Sequence, residues 1–210
     1  MEERESVELP IFELPVVLLP GELLPLHIFE DRYRAMTEHC LETGEPFGVV
    51  FREEGSEPHD VGCTAEVSEV LQRLEDGRLN IVTTGGTPFR VLDRHEAAEW
   101  PAGTVELIDL ADEPDEDDPE ARERARAAFG ELAREAAEDP DEVAELDADD
   151  AYAIAGRITL PHETKQALLE MRSERERIQA LAQALEAVMR AVERSRKIAE
   201  TAKSNGHGQI

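Results

Sequence analysis

Residues 11–36 read IFELPVVLLPGELLPLHIFEDRYRAM, and with Pro10 just ahead, prolines recur every five residues at 10, 15, 20 and 25. Each proline removes a backbone donor and fixes φ, so neither a helix nor a long central strand is expected to run through this stretch. Short strands joined by fixed bends remain. Phe12, Val16, Val17, Leu18 and Leu19 supply the large and β-branched side chains of the first strands, and Pro20-Gly21 is a turn dipeptide. A strand resumes over Leu23 to Phe29. Glu30 and Asp31 then place negative charge where a helix N-terminus favours it, and Tyr33, Met36, Cys40 and Leu41 follow at helical spacing up to a stop at Gly44. The block therefore predicts strands, a bend and a helix of about three turns.

Working outward, FGVVF at 47–51 is strand-like, and Asp76-Gly77 between two β-rich runs predicts a hairpin from Val61 to Thr84. Thr87 to His95 and Thr104 to Leu110 read as further strands, with Gly85-Gly86 and Trp100-Pro101 as loops. Six or seven short strands and one helix suit a small, partly closed barrel.

At Asp112 the character changes to ADEPDEDDPE, and the chain beyond it is helical in pattern. Expected helices cover Pro119 to Glu138, Pro140 to about Gly156, Glu163 to Met171, and Glu174 to about Lys203. The last opens on Ser173-Glu174-Arg175-Glu176, a capping-box pattern. The expected organisation is a β domain at 1–111, an acidic linker at 112–118, a helical subdomain at 119–203 and a disordered tail at 204–210. The fold class is α+β.

The residues 9–14 (LPIFEL), 16–21 (VVLLPG) and 24–34 (LPLHIFEDRYR) resemble the opening of the Lon protease N-terminal, substrate-binding domain. The resemblance continues through Phe47-Gly48-Val49-Val50, Val61-Gly62-Cys63-Thr64-Ala65, Pro88-Phe89-Arg90-Val91 and the helical Lys165-Gln166-Ala167-Leu168-Leu169-Glu170. It implies a PUA-like pseudobarrel followed by a helical bundle ending in one long helix. It also implies recognition of unfolded or exposed apolar polypeptide segments, with a role in protein quality control.

The remainder of a Lon protease has no counterpart in these residues. There is no G-x-x-x-x-G-K-[ST], and the lysines, Lys165, Lys197 and Lys203, lie in no glycine loop that could cradle phosphates. No serine is placed for a Ser-Lys peptidase pair. The expectation is a stand-alone form that is not an enzyme. It binds polypeptides, or else acts as an adaptor or scaffold docking one protein, with a full-length Lon protease as a further partner.

Charge narrows the partners. The net −27 is distributed as −16 over residues 1–111 (24 acids, 8 bases), −14 over 112–150 (18 acids, 4 bases) and +3 over 151–210 (7 acids, 10 bases). Such a field opposes nucleic acid and anionic membranes, which bind through Lys and Arg. Neither the two cysteines nor the six histidines fall at metal-ligand spacing, and the acidic run lacks a calcium-loop pattern, so no metal or cofactor is expected. Cys40 and Cys63 read as reduced, buried thiols. An N-terminus without an apolar core and the absence of any long apolar run point to the cytoplasm.

Two surfaces are candidates for binding. Leu18, Leu19, Pro20, Gly21, Leu24, Pro25 and Phe29 surround the proline bend, where apolar side chains can stay exposed for a peptide. Ile178, Leu181, Leu185, Val188 and Val192 form a heptad stripe on the last helix. Leaving each stripe residue in water forfeits roughly 1.5 to 3 kcal/mol, so either its own bundle or a partner helix covers it.

Overall fold

Proline positions and close-packed glycines decide how the strands pair. In the computed structural model, which describes residues 6–96, 99–108, 118–136 and 150–205, β1 (Ser6–Leu14) runs through Pro10. It does so by changing partners there. Residues 6–10 pair antiparallel with β6 (Pro101–Leu107), whereas residues 11–14 pair parallel with β3 (Phe47–Phe51) on the opposite edge. The missing proline donor therefore falls where one ladder ends and the other begins.

β4 (Val61–Arg73) and β5 (Leu79–Glu96) form the expected hairpin around Asp76-Gly77. The pairings β5–β4–β3–β1–β6–β5 close into a ring, and β2 (Leu23–Ile28) adds to the first half of β5 outside it. This is the PUA-like pseudobarrel of an α+β fold. Inside the ring lie Leu9, Ile11, Val50, Phe89, Val91 and Val105. Phe89 fills the space that side chains at Gly48 and Gly62 would occupy. A Cβ on Gly62 would stand 2.4 Å from the Val49 carbonyl oxygen and 2.7 Å from the Phe89 ring.

Two strand expectations are corrected. Gly85-Gly86 is not a loop, because β5 continues straight through it. The segment from Leu19 to Glu22 crosses β5 there: Gly21 N–H donates to the Gly85 carbonyl at 2.8 Å, and Gly85 N–H donates to the Glu22 carbonyl at 2.9 Å. A Cβ on Gly85 would lie 2.1 Å from the Leu19 oxygen, so glycine permits a backbone crossing rather than a turn. Conversely, Val16 to Leu19 is not a strand. Flanked by Pro15 and Pro20, it sends Val17, Leu18 and Leu19 into the core as an irregular plug.

α1 (Asp31–Thr43) begins at Glu30 and stops at Gly44, whose N–H returns to the Cys40 carbonyl, as expected. Tyr33, Met36, Thr37 and Cys40 form its buried face. The C-terminal half contains α2 (Pro119–Ala136), α3 (Ala151–Ala155), α4 (His162–Glu170) and α5 (Glu174–Asn205). Asp118, expected in the linker, caps α2 by accepting from Ala121 N–H at 2.9 Å and ties it to α5 through Gln179. These bonds, the backbone one first, hold its carboxyl below the usual range.

The expected helix from Pro140 to Gly156 is also corrected. A separate short helix starts after extended Asp150, whose carboxylate accepts from Ala153 N–H at 2.7 Å. Residues 137–149, with Val143 and Leu146, lie outside the described residues, as do most of the expected linker and the tail from 206. Ser173 Oγ accepts from Glu176 N–H at 3.3 Å, the first half of the anticipated capping box.

Ala121, Ala125, Ala128, Phe129 and Leu132 form the buried face of α2, which packs against α5. Small side chains let the helices approach closely. Arg177 is buried, donates to Glu174 and to the Met171 carbonyl, and stacks 4.7 Å over the Tyr152 ring. Burial pushes the Tyr152 hydroxyl up to about 12.

Truncating Phe89 to Ala is expected to cost about 3–5 kcal/mol, and Gly62→Ala about 1–3 kcal/mol, both read from denaturant unfolding curves. Cys40 and Cys63 are free and buried. Burial raises them to about 11 and about 12. Because the folded thiols ionise later than unfolded ones near pH 8.5, their contribution is complete below that pH and is lost as pH rises toward those values. The unfolding midpoint should fall correspondingly in alkali, and alkylating reagents near pH 8 should label both thiols only after unfolding.

Candidate functional site

The stretch around the proline bend divides into a buried anchor and an exposed rim. Leu18 and Leu19 are 2% and 0% exposed and belong to the core, so both are corrected as contact residues: the crossing over β5 points them inward. Pro20 and Leu24 are half-buried, Gly21 and Pro25 exposed, and Phe29 is 59% exposed. These residues do not form one surface.

The anchor is built around Glu22. Its backbone oxygen accepts from Gly85, its backbone N–H donates to the Leu19 carbonyl, and its carboxylate accepts from Leu19 N–H at 3.1 Å. Its other carboxylate oxygen pairs with Lys165 of α4, both side chains being largely buried. The next residue, Gln166, donates to the Val61 carbonyl at 3.1 Å and to Glu170 at 2.8 Å. Leu168 and Leu169 are buried behind them. Lys165 and Gln166 thus bolt the helical half to the barrel.

Phe29 instead borders a groove of about 520 Å³. Its walls are Phe12, Glu13, Leu14 and Pro15 at the end of β1, and Leu26, His27, Ile28 and Phe29 at the end of β2, with Glu30, Arg32 and Tyr33 of the α1 entry and Arg52 to Gly55 closing the ends. Phe12 and Tyr33 stack at 4.0 Å. Arg52 pairs with Glu13 at 2.6 Å and Arg32 with Glu30 at 3.1 Å. His27 is exposed and bonds Asn80 at 2.6 Å, its ring 6.0 Å from that of Phe29. Phe29 is the single member of the anticipated peptide set on this groove. The other lining residues carry no such signal in the sequence, because their exposure depends on which strands neighbour them.

On α5, Ile178, Leu181 and Leu185 are 0% exposed, while Val188 and Val192 are partly buried against the same core. Within this chain the stripe is covered mainly by its own helices. Ile198, 70% exposed, lies beyond the covered part. No helix among the described residues is long and apolar enough to cross a membrane.

A ring-closed mixed sheet, an added edge strand and a helical cap bolted through Lys165 define the architecture as that of a Lon-type N-terminal domain. The chain belongs to the family described as the ATP-dependent protease La (LON) substrate-binding domain, whose model matches residues 8–187. Among solved structures it is similar to the crystal structure of a Lon N-terminal domain protein from Xanthomonas campestris. The two share 26% identity at a TM-score of 0.63, covering 83% of this chain and 96% of that one. It shares its fold with the N-terminal domain of a Mycobacterium avium complex Lon protease, at 20% identity and a TM-score of 0.63, covering 86% and 98%.

Replacing Lys165 by Ala leaves Glu22 buried without its cation and is expected to destabilise by about 3–5 kcal/mol. Denaturant unfolding of the single variants and of the Glu22→Ala/Lys165→Ala double variant should give a clear non-additive coupling.

Proposed function

We propose that this chain is a polypeptide-binding module that catalyses no reaction itself and serves protein quality control in the cytoplasm. The family supports substrate binding in general. The observation that carries the reading to a place is Phe29, a large aromatic 59% exposed on the wall of a partly apolar groove. Aromatic side chains beside a groove are the residues that contact surfaces most use as anchors. Its ligands are unfolded or exposed apolar segments, and a full-length Lon protease is a natural recipient of what it holds. Of the proline-bend residues, Phe29 is central, and Pro20, Gly21, Leu24 and Pro25 are secondary.

An adaptor reading rests on a different place. Ile198 stands exposed on α5 beyond the residues packed against the core, a position from which the helix could dock one specific protein. The heptad residues Val188 and Val192, only partly buried, would extend that surface.

Titrating a labelled, permanently unfolded protein into the full chain should show saturable binding, weakened more than about tenfold by Phe29→Ala with the unfolding curve unchanged. Absence of binding up to about 1 mM overturns the module reading. One stoichiometric partner captured from lysate, lost with Ile198→Glu, would favour the adaptor.

A further inference from the structure

The groove touches the last three residues of β1 with Pro15 beyond them, and the last three of β2 with Phe29 beyond them. Successive side chains of a strand point to opposite faces, so a cavity lined by a consecutive run lies along the strand's edge rather than over its face. The sheet order agrees. β2 pairs with β5 alone, and residues 11–14 of β1 pair with β3 on one edge, while β6 occupies the other edge only at residues 6–10. Among the described residues, residues 11–14 of β1 and the whole of β2 therefore each have one edge without a ladder partner. They present backbone donors and acceptors to the gap, as an edge strand does.

The charges at this gap are unequal. Glu13 and Glu30 are matched by Arg52 and Arg32. Glu53 and Glu54, both exposed, have no ion-pair partner among the described residues. The lining thus holds four carboxylates against two guanidiniums, within a chain of net charge −27.

We propose that the groove takes an extended apolar segment by strand addition between the end of β1 and β2, and that it selects segments carrying Lys or Arg beside the apolar residues. This rests on the polypeptide-binding reading and deepens it. Backbone pairing supplies sequence-tolerant affinity, the Phe12, Leu26 and Phe29 walls take the side chains, and Glu53 and Glu54 set the charge preference.

The test uses fluorescent peptides of about six apolar residues, strand length, flanked by either lysines or glutamates, titrated into the full chain at low salt. The lysine peptide should bind at least about tenfold more tightly than the glutamate peptide, and the difference should shrink at high salt. The double variant Glu53→Lys/Glu54→Lys, altered only on an exposed loop, should reverse the order. N-methylation of alternate backbone amides, which leaves side chains and charge intact, should weaken the lysine peptide at least about tenfold. Equal binding of methylated and unmethylated peptides overturns strand addition while leaving polypeptide binding in place. Equal binding of the two flanking charges overturns the selectivity. Failure of every peptide, while the unfolded protein still binds, overturns the groove as the site without touching the broader function.

Discussion

One buried ion pair, Glu22 with Lys165, fixes how the two halves of this fold meet. Glu22 sits where the chain crosses β5 at Gly85, held there by its own backbone bonds, and Lys165 reaches it from a helix 143 residues further on. A buried pair of this kind adds little net stability, because desolvation offsets much of the attraction. Its effect is positional. With Lys165 on Glu22 and Gln166 on the Val61 carbonyl, α4 has one seat on β4, and α5 begins after only three intervening residues. The barrel interior around Phe89 and the larger core beneath the helices remain distinct apolar clusters.

Local signals in the chain were readable wherever local chemistry decides. The Asp76-Gly77 hairpin, the helix stop at Gly44 and the helix start at Ser173 depend on residues within four positions of one another. What was not readable depends on distant partners. Gly85-Gly86 looks like a loop until Leu19 is known to lie against it, and Val16 to Leu19 looks like a strand until its neighbours are seen to offer it no ladder. Arg177 gave no hint of burial, since Tyr152 joins it and its helical neighbour Glu174 only after α3 folds onto α5.

The candidate groove illustrates the same limit. Of the proline-rich block, Leu18 and Leu19 are core residues at the β5 crossing and do not line the groove, whereas Phe29 is an exposed part of its wall. Alternating hydrophobicity distinguishes one face of a strand from the other, but it carries no information about an edge. Which edge stays unpaired is a property of the sheet order, and the sheet order is set by the partner change at Pro10 and by ring closure through β5 and β6.

That partner change also orders events during synthesis. β1 finds its antiparallel neighbour only in β6, Ser6 lying opposite Glu106 and Pro10 opposite Ala102. About a hundred residues must leave the ribosome before this ladder can form, a closure whose entropic cost grows slowly with length but whose waiting time does not vanish. At a synthesis rate of about 5–20 residues per second, the nascent chain spends seconds with the apolar face of its first strand unclosed. For that interval the chain itself is an unfolded polypeptide with exposed apolar residues.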